Sequence, residues 1–219
     1  MMTDHNGLIW SGLQSCRLFW SGGVDSTVVL LSLLKQGIVV DPIWVAVNVP
    51  QKTMDMEREA RRLIIHSLPQ SLRSLLKQEA QFEFSRYYSE FVRLKQQLSA
   101  SGIKTVSKIP QTATSGFIRW NHVAFVAVSK IVGPCLSGIC QQQQISEMPQ
   151  EREWAQSNGL LMPIVQWTRT DILDEAERLG ILNLLGDTWS CPNPTDDGPC
   201  KKSTCIWCSD RILLGLRNG

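Results

Sequence analysis

Nine residues near the start of the chain, Phe19-Trp20-Ser21-Gly22-Gly23-Val24-Asp25-Ser26-Thr27, restrict what it can fold into more than any other feature. Arg17–Trp20 reads as a strand, and Asp25–Gln36 reads as a helix that Gly37 ends, so a strand must become a helix within a few residues. Gly22 and Gly23 permit backbone angles that side chains forbid, and they let the main chain approach a ligand closely. The helix start offers unpaired N–H groups and the positive end of a dipole, which suit an anion. Ser21, Ser26 and Thr27 add hydroxyls, and Asp25 can cap the helix or help hold magnesium. An ordinary strand–helix turn with an aspartate cap is the plain alternative. Gly-Lys-Ser/Thr is missing from this loop, so it is not a Walker A loop, and a kinase or motor ATPase is disfavoured.

The remainder alternates short apolar segments with longer amphipathic ones. Pro42–Val47 and Gln81–Ser85 read as strands, and Met54–Leu68 reads as a helix interrupted at Pro69 and continuing to Lys77. Tyr87–Leu98 is helical, residues 100–117 form a loop or lid, and Arg119–Val132 is helical again. Cys135–Cys140 and Leu160–Val165 are expected strands. Thr168 with Asp171 forms a capping box for a helix that Gly180 closes. Strands alternating with helices predict an α/β fold, a doubly wound parallel sheet, as one domain over residues 1–219. Ligands in such sheets sit beyond the carboxyl ends of the strands, which directs attention to the loops after Trp20, Val47 and Cys140.

The formal charge of +2 is too small to announce a nucleic-acid binder, although residues 52–108 carry 11 Lys/Arg against 6 Asp/Glu. Solvated helical faces explain that excess most simply. No apolar run approaches the roughly 20 residues that span a bilayer, and Met1–Leu8 lacks the pattern of a signal peptide. The expectation is a cytoplasmic protein without a membrane partner. In a reducing compartment seven cysteines favour metal over disulfides. Cys191, Cys200, Cys205 and Cys208, spaced C-x8-C-x4-C-x2-C, can wrap a tetrahedral Zn2+ within a segment 188–211. Four thiolates leave no coordination position for water, so the metal would be structural. An iron–sulfur cluster or a redox dithiol are the alternatives. Cys16 and Cys135 read as core fillers, and Cys140 stands at a strand end where a site would be.

The Ser-Gly-Gly-x-Asp-Ser string resembles that of the PP-loop ATP pyrophosphatases, which cleave ATP between the α- and β-phosphates. With the four-cysteine segment, the chain is similar over nearly its whole length to the 7-cyano-7-deazaguanine synthase (QueC) family. Gln51 follows the second strand as in that family, and Arg119-Trp120-Asn121 matches its Arg-Asn element. Gly138-Ile139-Cys140 matches a Gly-Val-Cys, Pro163 and Arg169 match a Pro-Leu segment with a lysine, and Thr188-Trp189-Ser190-Cys191 resembles the lead into the zinc site. Arg211 follows the last cysteine as the family's arginine does. The resemblance implies a Rossmann-like fold of the adenine-nucleotide alpha-hydrolase type, with ATP, Mg2+ and Zn2+ as cofactors. It implies adenylation of 7-carboxy-7-deazaguanine, attack by ammonia to give an amide, and a second adenylation that yields a nitrile. It assigns Asp25, Ser26, Arg119 and Arg169 to catalysis. Nucleotide binding falls to Ser21, Gly22, Gly23, Asp25, Ser26, Thr27, Asn48, Arg119 and Asn121. Substrate binding falls to Gly138, Cys140, Gln141, Gln150 and Arg152. A surface arginine is the plain alternative for Arg169.

The chain departs from the family in the acceptor segment. The stretch from Gln141 to Arg152, which opens with four consecutive glutamines, stands where the family has acidic residues that contribute to the deazaguanine site. A carboxylate accepts two N–H donors of a guanine-like edge, whereas a glutamine offers one acceptor oxygen. Glu147 or Glu151 could substitute by a shifted register; otherwise the acceptor has changed. This suits a QueC-like paralogue, such as those of antiviral defence systems that join the deazaguanine to a protein amine. The expected partners are accordingly a partner protein and a second copy of the chain in a homodimer. A tRNA-modifying PP-loop enzyme and a non-catalytic nucleotide-fold module with a zinc knuckle are the competing readings.

Overall fold

The chain opens with a hairpin, β1 (Met2–Asp4) against β2 (Gly7–Ile9), before the first apolar strand β3 (Ser15–Phe19) and its helix α1 (Val24–Lys35). Then come β4 (Val39–Ala46), α2 (Gln51–Ser67), the short α3 (Gln70–Arg73), β5 (Ala80–Glu83) and α4 (Phe84–Ala100). Two three-residue strands, β6 (Lys104–Val106) and β7 (Phe117–Arg119), pair in parallel before α5 (Trp120–Val132) and β8 (Cys135–Ser137). The last elements are α6 (Pro149–Ser157), β9 (Leu160–Leu161), α7 (Arg169–Arg178) and a 3-10 turn over Leu182–Asp187. This is a computed structural model. It describes residues 7–46, 50–107, 116–140, 149–191, 194–195 and 200, with the backbone of 2–4.

Five strands make one all-parallel sheet in the order β5-β4-β3-β8-β9. Successive side chains of β3 point to opposite faces, and both faces are covered. Leu18, Val40 and Leu136 pack beneath α1, α2 and α7, with Ile64, Ile172 and Ala176. Phe19, Ile43 and Cys135 pack beneath α4, α5 and α6, with Phe91, Val123 and Ala155. The expected doubly wound sheet is therefore present. Helix α1 is buried nearly all round, as a helix between a sheet and further helices must be. In α4 the buried residues Tyr87, Phe91, Leu94 and Leu98 form one stripe. The cations of segment 52–108 lie largely on the solvated faces of α2 and α4, where Arg58, Arg62 and Arg93 pair with Asp55, Glu59 and Glu90.

The chain builds outward from β3 first toward β5 and then, from β8, toward β9, so the winding reverses between β3 and β8. Helices that return between parallel strands start at the strands' carboxyl ends. The N-termini of α1, α2, α4, α5 and α6 therefore share one end of the sheet, the end where such folds bind ligands. No helix among the described residues is long and apolar enough to cross a membrane.

Several expected elements differ. The helix expected to continue to Lys77 breaks into α2 and α3, because Pro69 forces Leu68 into an extended conformation; Leu76 then bridges to Val40. Strand β8 stops at Ser137, where the backbone turns onto α1. Strand β9 is two residues long, and beyond it Met162–Trp167 closes into turns (Val165 N–H to Met162 O, Trp167 N–H to Ile164 O). Segment 100–117 holds β6 and one end of β7 rather than loop throughout. Residues 108–115, the centre of the expected lid, lie outside the described residues. Cys135 is a core residue as expected, while Cys16 is only partly buried against the core, and burial, chiefly, pushes the Cys16 and Cys135 thiols up to about 12 and about 11.

Candidate functional site

The loop after β3 is held tightly from behind. Trp20 continues the ladder through its N–H to Ile43 O at 2.9 Å, and its indole donates to Thr27 Oγ1 at 3.0 Å. Gly22 has φ +87, and a Cβ there would lie 3.0 Å from Arg61 Cγ and 3.1 Å from Glu57 O; only glycine fits on both counts. Gly23 is the N-cap of α1. Its N–H donates to Ser21 Oγ at 3.2 Å, and its carbonyl accepts from Thr27 N–H at 3.0 Å and Ser26 Oγ at 3.3 Å. The Ser21 and Ser26 hydroxyls lie 3.4 Å apart. Two hydroxyls and the first amides of α1 thus gather at one helix start, the donor set an anion needs. Thr27 stands apart from this set, being fully buried with its hydroxyl committed to Trp20.

Asp25 does not cap α1, which has no side-chain cap. Its carboxylate instead takes Arg169 Nη1 on Oδ1 and the Cys140 thiol, at 3.5 Å, on Oδ2. Arg169 is therefore no free surface arginine. The capping box is present as expected, with Asp171 N–H donating to Thr168 Oγ1 at 3.3 Å and Thr168 N–H donating to Asp171 Oδ2 at 2.6 Å. It fixes the first residue of α7, Arg169, at the same end of the sheet as α1. From the other side of the winding reversal, Gly138 presses its backbone on α1: a Cβ there would lie 2.5 Å from Ser26 N and 2.6 Å from Ser26 Cα. Gly138, Cys140, Asp25, Ser26 and Arg169 are thus brought together.

A second buried cluster stands at the starts of α5 and α6. Glu151 and His122 are both fully buried, with Nδ1 of His122 2.8 Å from Glu151 Oε1. The same carboxylate oxygen accepts the Arg119 N–H at 2.8 Å. Burial pushes the Glu151 carboxyl up, but the His122 hydrogen bond and charge, with the Arg119 amide and guanidinium, hold it below the usual carboxylate range. Burial lowers the Arg119 guanidinium, opposed by Glu151. Among the described residues, Arg119 Nε and Nη2, His122 Nε2 and Glu151 Oε2 are buried without a hydrogen-bond partner, although Arg119 Nη2 lies 3.7 Å from Glu151 Oε2. Asn121 Oδ1 accepts the His122 N–H at 3.1 Å, and Gln150 Oε1 accepts the Gly116 N–H at 3.2 Å. Arg152 is half-buried on α6. Glu151, considered above as a grip for two ligand donors, has one oxygen already spent.

Sequence reasoning missed His122 and the network around Arg61. Arg61 is buried on α2, paired with Glu79 at 2.6 Å and lying 4.9 Å over the Trp44 ring. Trp44 Nε1 donates to Glu57 Oε2 at 2.8 Å; burial raises the Glu57 carboxyl, partly offset by Trp44 and Arg61. The available signal was periodicity, since Arg61 falls three residues before the buried Ile64 and belongs to the inner stripe.

Cys191 and Cys200 are buried together beside Ala60 and Trp189, with the Cys200 N–H donating to Cys191 Sγ at 3.4 Å. Two of the four cysteines assigned above to zinc thus stand side by side. Among the described residues, no group of three or more His, Cys, Asp or Glu is placed to hold a metal ion. Cys205 and Cys208 lie outside the described residues, as do Asn48 and Gln141.

No family model matches the sequence, and no curated protein matches it. Solved structures do. A 4-thiouridine synthetase, in an RNA complex with bound ATP, aligns with 92% of this chain at 13% identity and a TM-score of 0.48. The chain spans 50% of that protein's length. The NMN synthetase of Francisella tularensis aligns with 95% of this chain and 80% of its own, at 13% identity and a TM-score of 0.43.

Proposed function

We propose that this chain is an ATP-dependent ligase that adenylates a carboxylate and passes the acyl group to an amine. One observation carries the reading: the loop Ser21–Ser26, a helix N-terminus and Arg169 converge where the sheet's winding reverses. The loop amides and the Ser21 and Ser26 hydroxyls take the phosphates of Mg·ATP. A carboxylate oxygen attacks the α-phosphorus, the α–β bridging bond breaks, and pyrophosphate leaves. Arg169, beside the loop, stabilises charge building on the departing pyrophosphate. The amine then attacks the acyl carbon, its proton is lost, and AMP leaves with the bonding pair.

The acceptor is 7-carboxy-7-deazaguanine or a related carboxylate, on the sequence resemblance to 7-cyano-7-deazaguanine synthases. Nε and Nη2 of Arg119, which make no hydrogen bond among the described residues, form the edge of a guanidinium that matches a carboxylate. Glu151 is tied to His122 and the Arg119 amide, so it does not replace the family's acidic residues, which supports a changed acceptor end and a protein amine in place of ammonia. Zn2+ would be held by Cys191 and Cys200 with Cys205 and Cys208, in a structural role. The reaction is cytoplasmic.

The test is pyrophosphate release from Mg·ATP with 7-carboxy-7-deazaguanine, with and without ammonia, and products identified by mass spectrometry. Release that depends on the deazaguanine and disappears in a folded Ser26→Ala variant is expected. Bound ATP without release for this or any other carboxylate would sink the ligase reading in favour of a binding module.

A further inference from the structure

The Ser21–Gly22 peptide is trans, so its carbonyl and the Gly22 N–H point in opposite directions. The carbonyl is fixed on the α2 side, where Arg61 Nη1 donates to Ser21 O at 3.2 Å. The Gly22 N–H therefore points away from α2, and among the described residues it makes no hydrogen bond. The next peptide is also held from outside the loop, because the Trp189 N–H donates to Gly22 O at 2.9 Å.

Arg61 is itself held in one pose. Its Nε and Nη2 donate to Glu79 at 2.6 and 3.3 Å, a two-point grip that fixes the guanidinium plane. Gln81 Nε2 steadies Glu79 at 3.0 Å. The guanidinium lies over Trp44, which is tied by Glu57. The stem of Arg61 lies against Gly22, close enough that a Cβ there would stand 3.0 Å from Cγ. A residue this constrained, buried on one helix and bonded to the main chain of a different loop, sets the orientation of that loop.

We propose that Arg61 is a positioning residue for the phosphate loop: by holding the Ser21 carbonyl outward, it turns the Gly22 N–H toward a bound pyrophosphate or nucleotide phosphate. The inference rests on the nucleotide reading above and adds to it a residue on α2 that touches no ligand.

Calorimetry and amide NMR with inorganic pyrophosphate test it. The double variant Arg61→Met/Glu79→Met removes both charges together, so neither is left buried alone. It should melt within a few degrees of wild type yet bind pyrophosphate about tenfold or more weakly, the worth of one hydrogen bond to a charged group. The Gly22 amide resonance, displaced by pyrophosphate in wild type, should stay in place. Arg61→Lys should fall between. A folded double variant that binds as wild type, with the Gly22 displacement intact, overturns the inference and leaves the nucleotide reading standing. Should the double variant not fold, Arg61→Lys with wild-type affinity and displacement overturns it equally. A wild-type protein that binds neither pyrophosphate nor ATP defeats the nucleotide reading, and this inference with it.

Discussion

Replacing Gly138 by alanine tests the geometry of the site end most directly. The new Cβ would sit 2.5 Å from Ser26 N, 2.6 Å from Ser26 Cα and 2.9 Å from the Asp25 carbonyl carbon, all backbone atoms that no rotamer change can move aside. Ordinary van der Waals contact begins near 3.4 Å, so the loop after β8 or the first turn of α1 must shift by about 0.9 Å. Overpacking of this kind costs about 1–3 kcal/mol, which for a chain of this size lowers the melting temperature by roughly 3–10 °C. A displacement near 1 Å at the helix start also moves the Ser26 hydroxyl and the α1 amides, enough to cost about a hundredfold in a positioned reaction. Gly186→Ala serves as control, since nothing lies within 4 Å of a Cβ there. The assay pairs thermal melts with pyrophosphate calorimetry. A Gly138→Ala protein that melts and binds like wild type would show that β8 does not press on α1 and would refute the placement of the site.

Three further outcomes are expected from particular contacts. Thr27→Val removes the acceptor of the Trp20 indole; urea melts should show a loss of about 1–2 kcal/mol, while pyrophosphate affinity stays unchanged, the reverse of what a ligand hydroxyl would give. Glu151→Leu leaves His122 and the Arg119 amide buried without their acceptor, at a cost of about 3–5 kcal/mol at pH 7. Because the Glu151 carboxyl is depressed in the folded state, its stabilisation is complete above the ordinary carboxylate value of about 4.3 and is lost as pH falls through the lower folded value. Melts from pH 7 downward should therefore show the gap between variant and wild type narrowing below the ordinary carboxylate value, and a constant gap would contradict the depressed Glu151 carboxyl. Zinc analysis should find one ion per chain, lost on Cys191→Ser with a lower melting temperature; full retention would take Cys191 out of the ligand set.

What could be read in advance was what is local. The strand–glycine–helix string shows where β3 ends and α1 begins, because a glycine pair between an apolar strand and an apolar helix is a signal carried by immediate neighbours. The capping box of α7 was legible for the same reason. The three-residue strands β1, β2, β6 and β7 are too short to carry an alternation, and β6 and β7 pair in parallel across an intervening segment that reads as loop. Helix α6 was missed because its buried residues are only Glu151 and Ala155, which gives no apolar stripe. Thr27 reads as one more hydroxyl beside Ser26, and only the position of Trp20 shows that it faces the core. The loop's conformation is likewise not contained in its own string: Arg61 and Trp189, 40 and 167 positions away from the carbonyls they hold, orient its peptides.

Charge around the site is arranged in closed pairs: Asp25 with Arg169, Arg61 with Glu79, and Glu151 with His122 and Arg119. Among the described residues the two cations that meet the phosphate loop, Arg61 and Arg169, are both paired, so an incoming polyanion must compete for one of these pairs. Their burial decides which. His122 and Glu151 are fully buried and Arg61 is 3% exposed, whereas Arg169 and Asp25 are 22% and 17% exposed. Breaking a buried pair strands a charge at a cost of several kcal/mol, while a partly exposed one is partly rehydrated. Phosphate oxygens should therefore draw Arg169 from Asp25 and leave the deeper pairs intact. In Asp25→Asn, metal-free pyrophosphate no longer competes with a carboxylate for Arg169, and calorimetry should show severalfold tighter binding. Weaker binding in a folded Asp25→Asn protein would mean instead that the ion pair holds Arg169 in its binding pose, and that the arginine never leaves the aspartate.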